Sequence, residues 1–200
     1  MRILLIGATG TIGSKVRERL AEHHEVVAAG YRDGEYRVDI ADKASIEQLF
    51  EQVGEVDAVV STTGAAAFAP LAEQTDEQFD LAWSNKLMGQ INLLRVGRSY
   101  VRKGGAVLLT SGMLSDAPMP GSSSVSAANG ALNSFVKAAA LELGDEIRVN
   151  AVSPIFVKET MEMMGMDSAA GMSAFDTAKA YQAGVEGTMS GAVIDVRQHA

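Results

Sequence analysis

The stretch that most constrains the fold is the first one read. "RILLIG" (2–7) is an apolar run of strand length, "GATGTIG" (7–13) sets glycines at positions 7, 10 and 13, and an amphipathic pattern follows from about Thr11 to Glu22. A buried strand that passes through glycines straight into a helix is a recognised place for a phosphate ligand. The glycines permit a tight turn and close backbone approach, and the helix N-terminus offers amide donors and a favourable dipole. Such a loop can also be a purely structural turn. The strand before it and the helix after it favour dinucleotide binding, with Gly7, Gly10 and Gly13 at its centre.

The rest of the chain keeps alternating short apolar runs with helical patterns, the signature of a parallel sheet wound with helices. Strands are predicted at 25–30, 36–40, 56–62, 105–112, 147–154 and 191–196, and helices at 43–53, 125–143 and around 175–183. A long helical region covers roughly Asp76 to Val101 and is interrupted near Asn85. No internal repeat and no linker rich in Pro, Gly or Ser divides the sequence. The expectation is a single α/β domain, a Rossmann-like doubly wound parallel sheet of about seven strands flanked by helices. The loosest segments, Met113–Ser124 and Lys158–Ser173, follow sheet strands and should border a binding site.

Composition narrows the partners. The 200 residues are 47% hydrophobic, enough for one substantial core, and the formal net charge is −8 with no long basic run, which argues against nucleic acid. The chain has no Cys, so disulfides, thiolate nucleophiles and Cys-type zinc sites are excluded and a reducing, cytoplasmic setting fits. No run of apolar residues is long enough for a membrane span, and the opening run is too short for a secretory signal. His23 and His24 are adjacent and do not share a face, so no metal site is expected there.

Several segments, taken in order, resemble the short-chain dehydrogenase/reductase family. "GATGTIG" is similar to the family's cofactor loop, with Gly7, Thr9, Gly10, Thr11, Ile12 and Gly13 as its candidate contacts. Asp39 and Ile40 resemble the pair beside the adenine ring, and Ser61, Thr62 and Gly64 in "STTG" replace the usual Asn-Asn-Ala-Gly. Asn85 matches the active-site Asn that interrupts the long helix, Ser111 the catalytic Ser at a strand end, and Pro154 and Thr160 the segment after the catalytic helix. The resemblance implies a nicotinamide-dependent oxidoreductase acting on a small carbonyl or alcohol substrate. It also implies a homodimer or homotetramer formed through the helices at Trp83–Val101 and Val125–Leu143.

One expected feature is missing. The family carries Tyr-x-x-x-Lys on the helix that here reads "VSAANGALNSFVKAAALEL", and the alignment puts Val125 at the Tyr position and Asn129 at the Lys position. Val exchanges no proton, and a neutral Asn hydrogen-bonds ribose but tunes no neighbour's pKa. The chain therefore resembles a short subgroup of the family without this pair. A positioned general acid contributes roughly 10²–10⁴ in rate, so turnover needs another donor, and Ser111 with Asn85 and a water chain are the candidates. Ser111 has no His partner for hydrolase chemistry. The rival readings are a catalytically silent NADP(H)-binding sensor and a non-redox isomerase or lyase that reuses the pocket.

Cofactor choice rests on the end of the second strand. An acidic residue there suits the 2′-hydroxyl of NAD, whereas Arg suits the 2′-phosphate of NADP. Tyr31 and Arg32 hold the position, with Asp33 one step later, so NADP is favoured and NAD is the alternative. Asp116, in the loop after Ser111, reads as a solvated carboxylate.

Overall fold

The computed structural model describes residues 1–199. Strands β1 (Arg2–Ile6), β2 (Glu25–Gly30), β3 (Tyr36–Arg37), β4 (Val56–Ser61), β5 (Val101–Thr110), β6 (Ile147–Ser153) and β7 (Val193–Asp195) form one sheet. Its order is β3-β2-β1-β4-β5-β6-β7, with every pairing parallel. The chain runs outward from β1 to β3, then crosses back to lay β4 against the free side of β1. That reversal opens a crevice at the carboxyl ends of β1 and β4, where open α/β sheets place ligands.

Alternation along β1 explains the layers. Leu4 and Ile6 point to one face and Ile3 and Leu5 to the other, all fully buried, so each face needs its own helical cover. On the first face lie α2 (Lys43–Val53), α4 (Gln90–Gly97) and α5 (Ser123–Leu143), whose Phe50, Leu93 and Leu132 join Leu4 and Ile6 in one core. On the second, α1 (Thr11–Leu20) and α7 (Ala174–Glu186) pack Val16, Leu20, Tyr181 and Val185 against Ile3 and Leu5. No helix among the described residues is long and apolar enough to cross a membrane.

The interruption expected near Asn85 takes a definite form. Helix α3 (Asp76–Leu81) starts from a Thr75 capping box, and the chain then widens into a π-helical segment over Ala82–Gly89 before α4 resumes ordinary helix. Two boundaries differ from the sequence reading. Val101 was expected to end a helix and instead begins β5, because α4 stops at Gly97 and Val56 N–H bonds the Tyr100 carbonyl, drawing the next residues onto the sheet. The segment 158–173, expected as loop, contains a short helix, α6 (Lys158–Met163), anchored by buried Met161.

Candidate active site

The glycine loop shapes the first half of the crevice. Gly7 has φ +85°, a conformation that side chains rarely adopt, and its amide bonds the Ala29 carbonyl across the sheet edge. Gly13 is required for a different reason: a Cβ there would lie 1.9 Å from the Gly7 carbonyl oxygen. At Gly10 the closest atom to an added Cβ would be that same oxygen at 3.4 Å, so this residue keeps space open rather than relieving a clash. Helix α1 begins at this loop with no side-chain cap and no acidic residue in its first turn, so its free amides and dipole are available to an anion.

From the loop a cavity of about 730 Å³ runs along the β1 and β2 ends. Gly7, Thr9 and Gly10 line one end; Tyr31, Arg32, Asp39 and Ile40 line the other, with Thr62, Gly64 and Asn85 on the way. A second cavity of about 310 Å³ continues from it, sharing Thr62, Thr63 and Gly64. Ile12, Ser111, Val125, Asn129, Pro154 and Thr160 line this second chamber. Of the expected cofactor residues, Thr11, Gly13 and Ser61 line neither chamber. Gly13 sits buried behind the loop, and Ser61 is fully buried with its hydroxyl bonded to Thr63 Oγ1 at 2.8 Å.

The structure divides the expected donor set. Asn85 faces the first chamber, where its Oδ1 accepts the Ala65 N–H at 2.7 Å, while Ser111 lines the second. Asn85 and Ser111 thus line adjoining chambers that share Thr62, Thr63 and Gly64. The next residue, Lys86, enters the second chamber instead.

Sequence reasoning missed Lys86, and its surroundings are unusual. The side chain is buried, and Nζ donates to the Ser111 carbonyl at 3.1 Å. Its stem runs past Gly64 (φ +139°), where an added Cβ would approach Lys86 Cγ to 3.0 Å, so a residue other than glycine would crowd the stem. Burial pushes the Lys86 amine down to about 8, since leaving water penalises its charged form. No carboxylate among the described residues lines the chamber to offset that. A Lys set in the apolar phase of "NKLMGQ", four residues before a Gln, was the available signal.

Gln90 explains how Lys86 is held. Fully buried, its Oε1 accepts from Thr110 N and its Nε2 donates to the Thr110 carbonyl, both at 2.6 Å, as a neighbouring strand would do. The same Nε2 reaches the Lys86 carbonyl at 3.1 Å, tying the wide turn to the end of β5. Thr110 in turn donates its hydroxyl to the Ser61 carbonyl and meets the Tyr181 hydroxyl at 2.7 Å. Burial raises the Tyr181 phenol well above its ordinary range, and this residue lies behind the chamber wall rather than on it.

Across the chamber stands Asn129, on the buried face of α5. Its Oδ1 is buried without a hydrogen-bond partner, a costly state that a ligand hydroxyl or amide would relieve. Gly112 gives it room, since a Cβ there would come within 2.9 Å of Asn129 Nδ2. The glycine cradle, the uncapped α1 and this orphaned oxygen together fit a dinucleotide laid along both chambers. Val125 contributes only an apolar wall, and Asp116 accepts from Ser115 Oγ and stays outside both chambers. No cluster of three or more metal-binding side chains occurs among the described residues.

Comparison with known proteins decides the family. The family model described as enoyl-(acyl carrier protein) reductase matches residues 8–190. The chain belongs to the short-chain dehydrogenase/reductase family. The crystal structure of the protein lin1944 from Listeria innocua is 41% identical, covers 98% of this chain and 99% of its own, and superposes with a TM-score of 0.93. A small-chain dehydrogenase solved in complex with NADPH is 30% identical, with 98% and 95% covered and a TM-score of 0.87. The L-xylulose reductase of Mesocricetus auratus is 36% identical over 128 residues, 62% of this chain and 52% of that protein. The chain spans about half the length of such curated relatives.

Proposed function

We propose that the protein is a nicotinamide-dependent oxidoreductase that interconverts a small carbonyl and its alcohol. The observation that carries this reading is the two-chambered cleft: a phosphate cradle at one end, and at the other a chamber with polar groups on an apolar wall. When bound, the cofactor supplies or accepts hydride. The residues suited to hold it are Gly7, Thr9, Gly10 and the α1 amides for the pyrophosphate, Asp39 and Ile40 for the adenine, and Asn129 for a ribose or amide group. Ser111 is suited to hydrogen-bond the substrate oxygen, because it directly follows β5 and lines the chamber. Ile12, Phe68, Leu114, Val125 and Phe156 exclude water from that point.

NADP(H) is the proposed cofactor, on two supports. Arg32 is exposed at the far end of the first chamber, where a guanidinium pairs well with a 2′-phosphate. A relative that is 30% identical was solved with NADPH. Self-association is proposed through α4 and α5, whose surface carries a groove lined by Leu94, Val96, Tyr100, Phe135 and Leu143.

Calorimetric titration with NADPH and NADH, followed by NADPH oxidation with a panel of small ketones, tests the reading. NADPH is expected to bind more tightly, with Arg32→Ala cutting its advantage by about tenfold, near 1.4 kcal/mol. Absence of dinucleotide binding overturns the proposal. Tight binding with no turnover on any carbonyl transfers the assignment to a cofactor sensor.

A further inference from the structure

The family's usual proton-transfer pair is missing from α5, so the second chamber must supply a proton from elsewhere if it reduces a carbonyl. Among the described residues its lining includes, beside Lys86, Ser and Thr hydroxyls, the Asn129 carboxamide, apolar side chains and backbone, and no Asp, Glu, His, Tyr or Arg. Hydroxyls and amides hold their protons too tightly to release them near neutral pH. Tyr181 is separated from the chamber by Thr110 and is further from releasing its proton than an ordinary phenol. Lys86 is the one lining residue with an acid–base group that titrates in an accessible range.

We propose that Lys86 is the catalytic acid and base of this site, replacing the absent tyrosine from a different helix. The proposal rests on the oxidoreductase reading above. Two geometric features carry it. Nζ donates to the carbonyl of Ser111, the same residue whose hydroxyl is suited to hold the substrate oxygen, so the amine and the oxygen's anchor belong to one point of the chain. That bond uses one of three ammonium protons and leaves the others for a ligand in the chamber. The amine also faces no carboxylate: the elements around it present Thr62, Thr63 and Gly64 after β4, Thr110 to Leu114 from β5 onward, Asn129 and Val125 from α5, and Pro154 to Phe156 after β6. Without a counter-ion, the ammonium is free to give up its proton as charge builds on a ligand oxygen.

In the reducing direction the reduced nicotinamide, when bound, would supply the hydride that the carbonyl carbon gains and would be oxidised in turn, and the chain's own part is the proton. The C=O π electrons move to oxygen and form the new O–H bond with a proton from Nζ. The electrons of the broken N–H bond stay on Nζ, and the neutral amine recovers a proton from solvent. In the oxidising direction the neutral amine takes the alcohol proton as the hydride leaves. A pKa pushed down to about 8 suits both directions near neutral pH, whereas an unperturbed lysine would remain locked in its acid form.

The test compares wild type, Lys86→Met and Lys86→Arg, each with and without NADPH. Competitive acylation with acetic anhydride, followed by mass spectrometry, reads the titration of the Lys86 amine directly. It is expected to titrate at least one unit below an unperturbed lysine; titration at the unperturbed value, or no reaction up to pH 10, overturns the proposal. NADPH affinity should stay within threefold of wild type in both variants, and a loss beyond tenfold would make Lys86 a cofactor ligand instead. With 4-nitroacetophenone and ethyl acetoacetate as probe ketones, kcat should fall at least 100-fold in both variants, and the alkaline limb of the wild-type pH profile should vanish. Recovery by Lys86→Arg to within a few fold would show that charge, not proton transfer, is what matters. Wild type that oxidises no NADPH with either ketone or with the wider panel fails the underlying oxidoreductase reading, whereas active wild type with an equally active Lys86→Met fails this proposal alone.

Discussion

The two chambers of the cleft are built in opposite ways. The dinucleotide side draws mainly on a continuous front part of the chain: one turn between β1 and α1, and the ends of β2 and β3 just after it. The second chamber is assembled from the ends of three strands, a π-helical turn and the buried face of α5, brought together across more than a hundred residues of sequence. On the first side glycine geometry shapes the loop, and the charged side chains Arg32, Asp33 and Asp39 also line the chamber. On the second a single buried ammonium dominates, and every nearby contact either makes room for it or fixes its backbone. A local turn is robust because its requirements are steric and close in sequence. A composite chamber depends on helix phase and on side chains that bridge elements.

The largest effect expected separates two glycines of the same loop. Gly13→Val would force a side chain into the Gly7 carbonyl and should cost more than about 3 kcal/mol, seen as a collapse of the thermal transition. Gly10→Val has room for its Cβ and should melt close to wild type while losing at least 100-fold in NADPH affinity. Equal melting temperatures for the two variants would break the distinction between holding the turn and keeping space for a ligand.

Next in size is Gln90→Leu, which probes the composite side. It strands the Thr110 N–H and carbonyl without their partner, at a cost of about 3 kcal/mol in chemical denaturation. It should also lower turnover while sparing cofactor affinity, since no Gln90 atom lines the first chamber. A variant as stable as wild type would show that the bridge between the wide turn and β5 is dispensable.

The smallest effect expected has the opposite sign. Lys86→Met removes a buried charge, and its folded-state pKa of about 8 against 10.5 in the unfolded chain corresponds to about 3 kcal/mol. Losing the bond to the Ser111 carbonyl returns about 1 kcal/mol of that, leaving a gain of about 2 kcal/mol at pH 7. Because the folded pKa is lowered, the unfolded chain binds more protons between pH 8 and 10.5, and wild-type stability rises with pH across that window. The advantage of Lys86→Met should therefore be full below pH 8 and fade toward pH 10.5. Denaturation curves at pH 7 and pH 10.5 that differ equally for both proteins would contradict it.

How far the sequence could be read follows the same division. Apolar runs and turn glycines act over a few neighbours, so most strands and helices, the single sheet and the glycine loop were recoverable from patterning, while the short α6 was not. The interruption at Asn85 was recoverable too, but its kind was not. The wide turn sets Asn85 on one chamber and Lys86 on the other. Nothing in the residues 82–89 announces i→i+5 bonding, and the bridge from Gln90 to Thr110, twenty residues on, is invisible to local patterning. Val101 was misplaced for a related reason, since its strand is fixed by a partner on β4 rather than by its own neighbours.

The wide turn has a consequence for how chains of this kind can change in length. Helix α3 holds no buried residue and carries its own capping box, whereas Gln90 fastens Lys86 to β5. Deleting one residue ahead of Lys86, Ser84 for instance, lets the wide turn close to ordinary helical bonding with its downstream end fixed. The closing turn itself absorbs the missing residue, so the exposed α3 shifts little and Lys86 keeps its place in the second chamber. An insertion or deletion between Lys86 and Gln90 has no such outlet, because it moves the ammonium and its clamp to different faces. Homologous chains that share this chamber should therefore show gaps before the lysine and an invariant four-residue step from it to the glutamine.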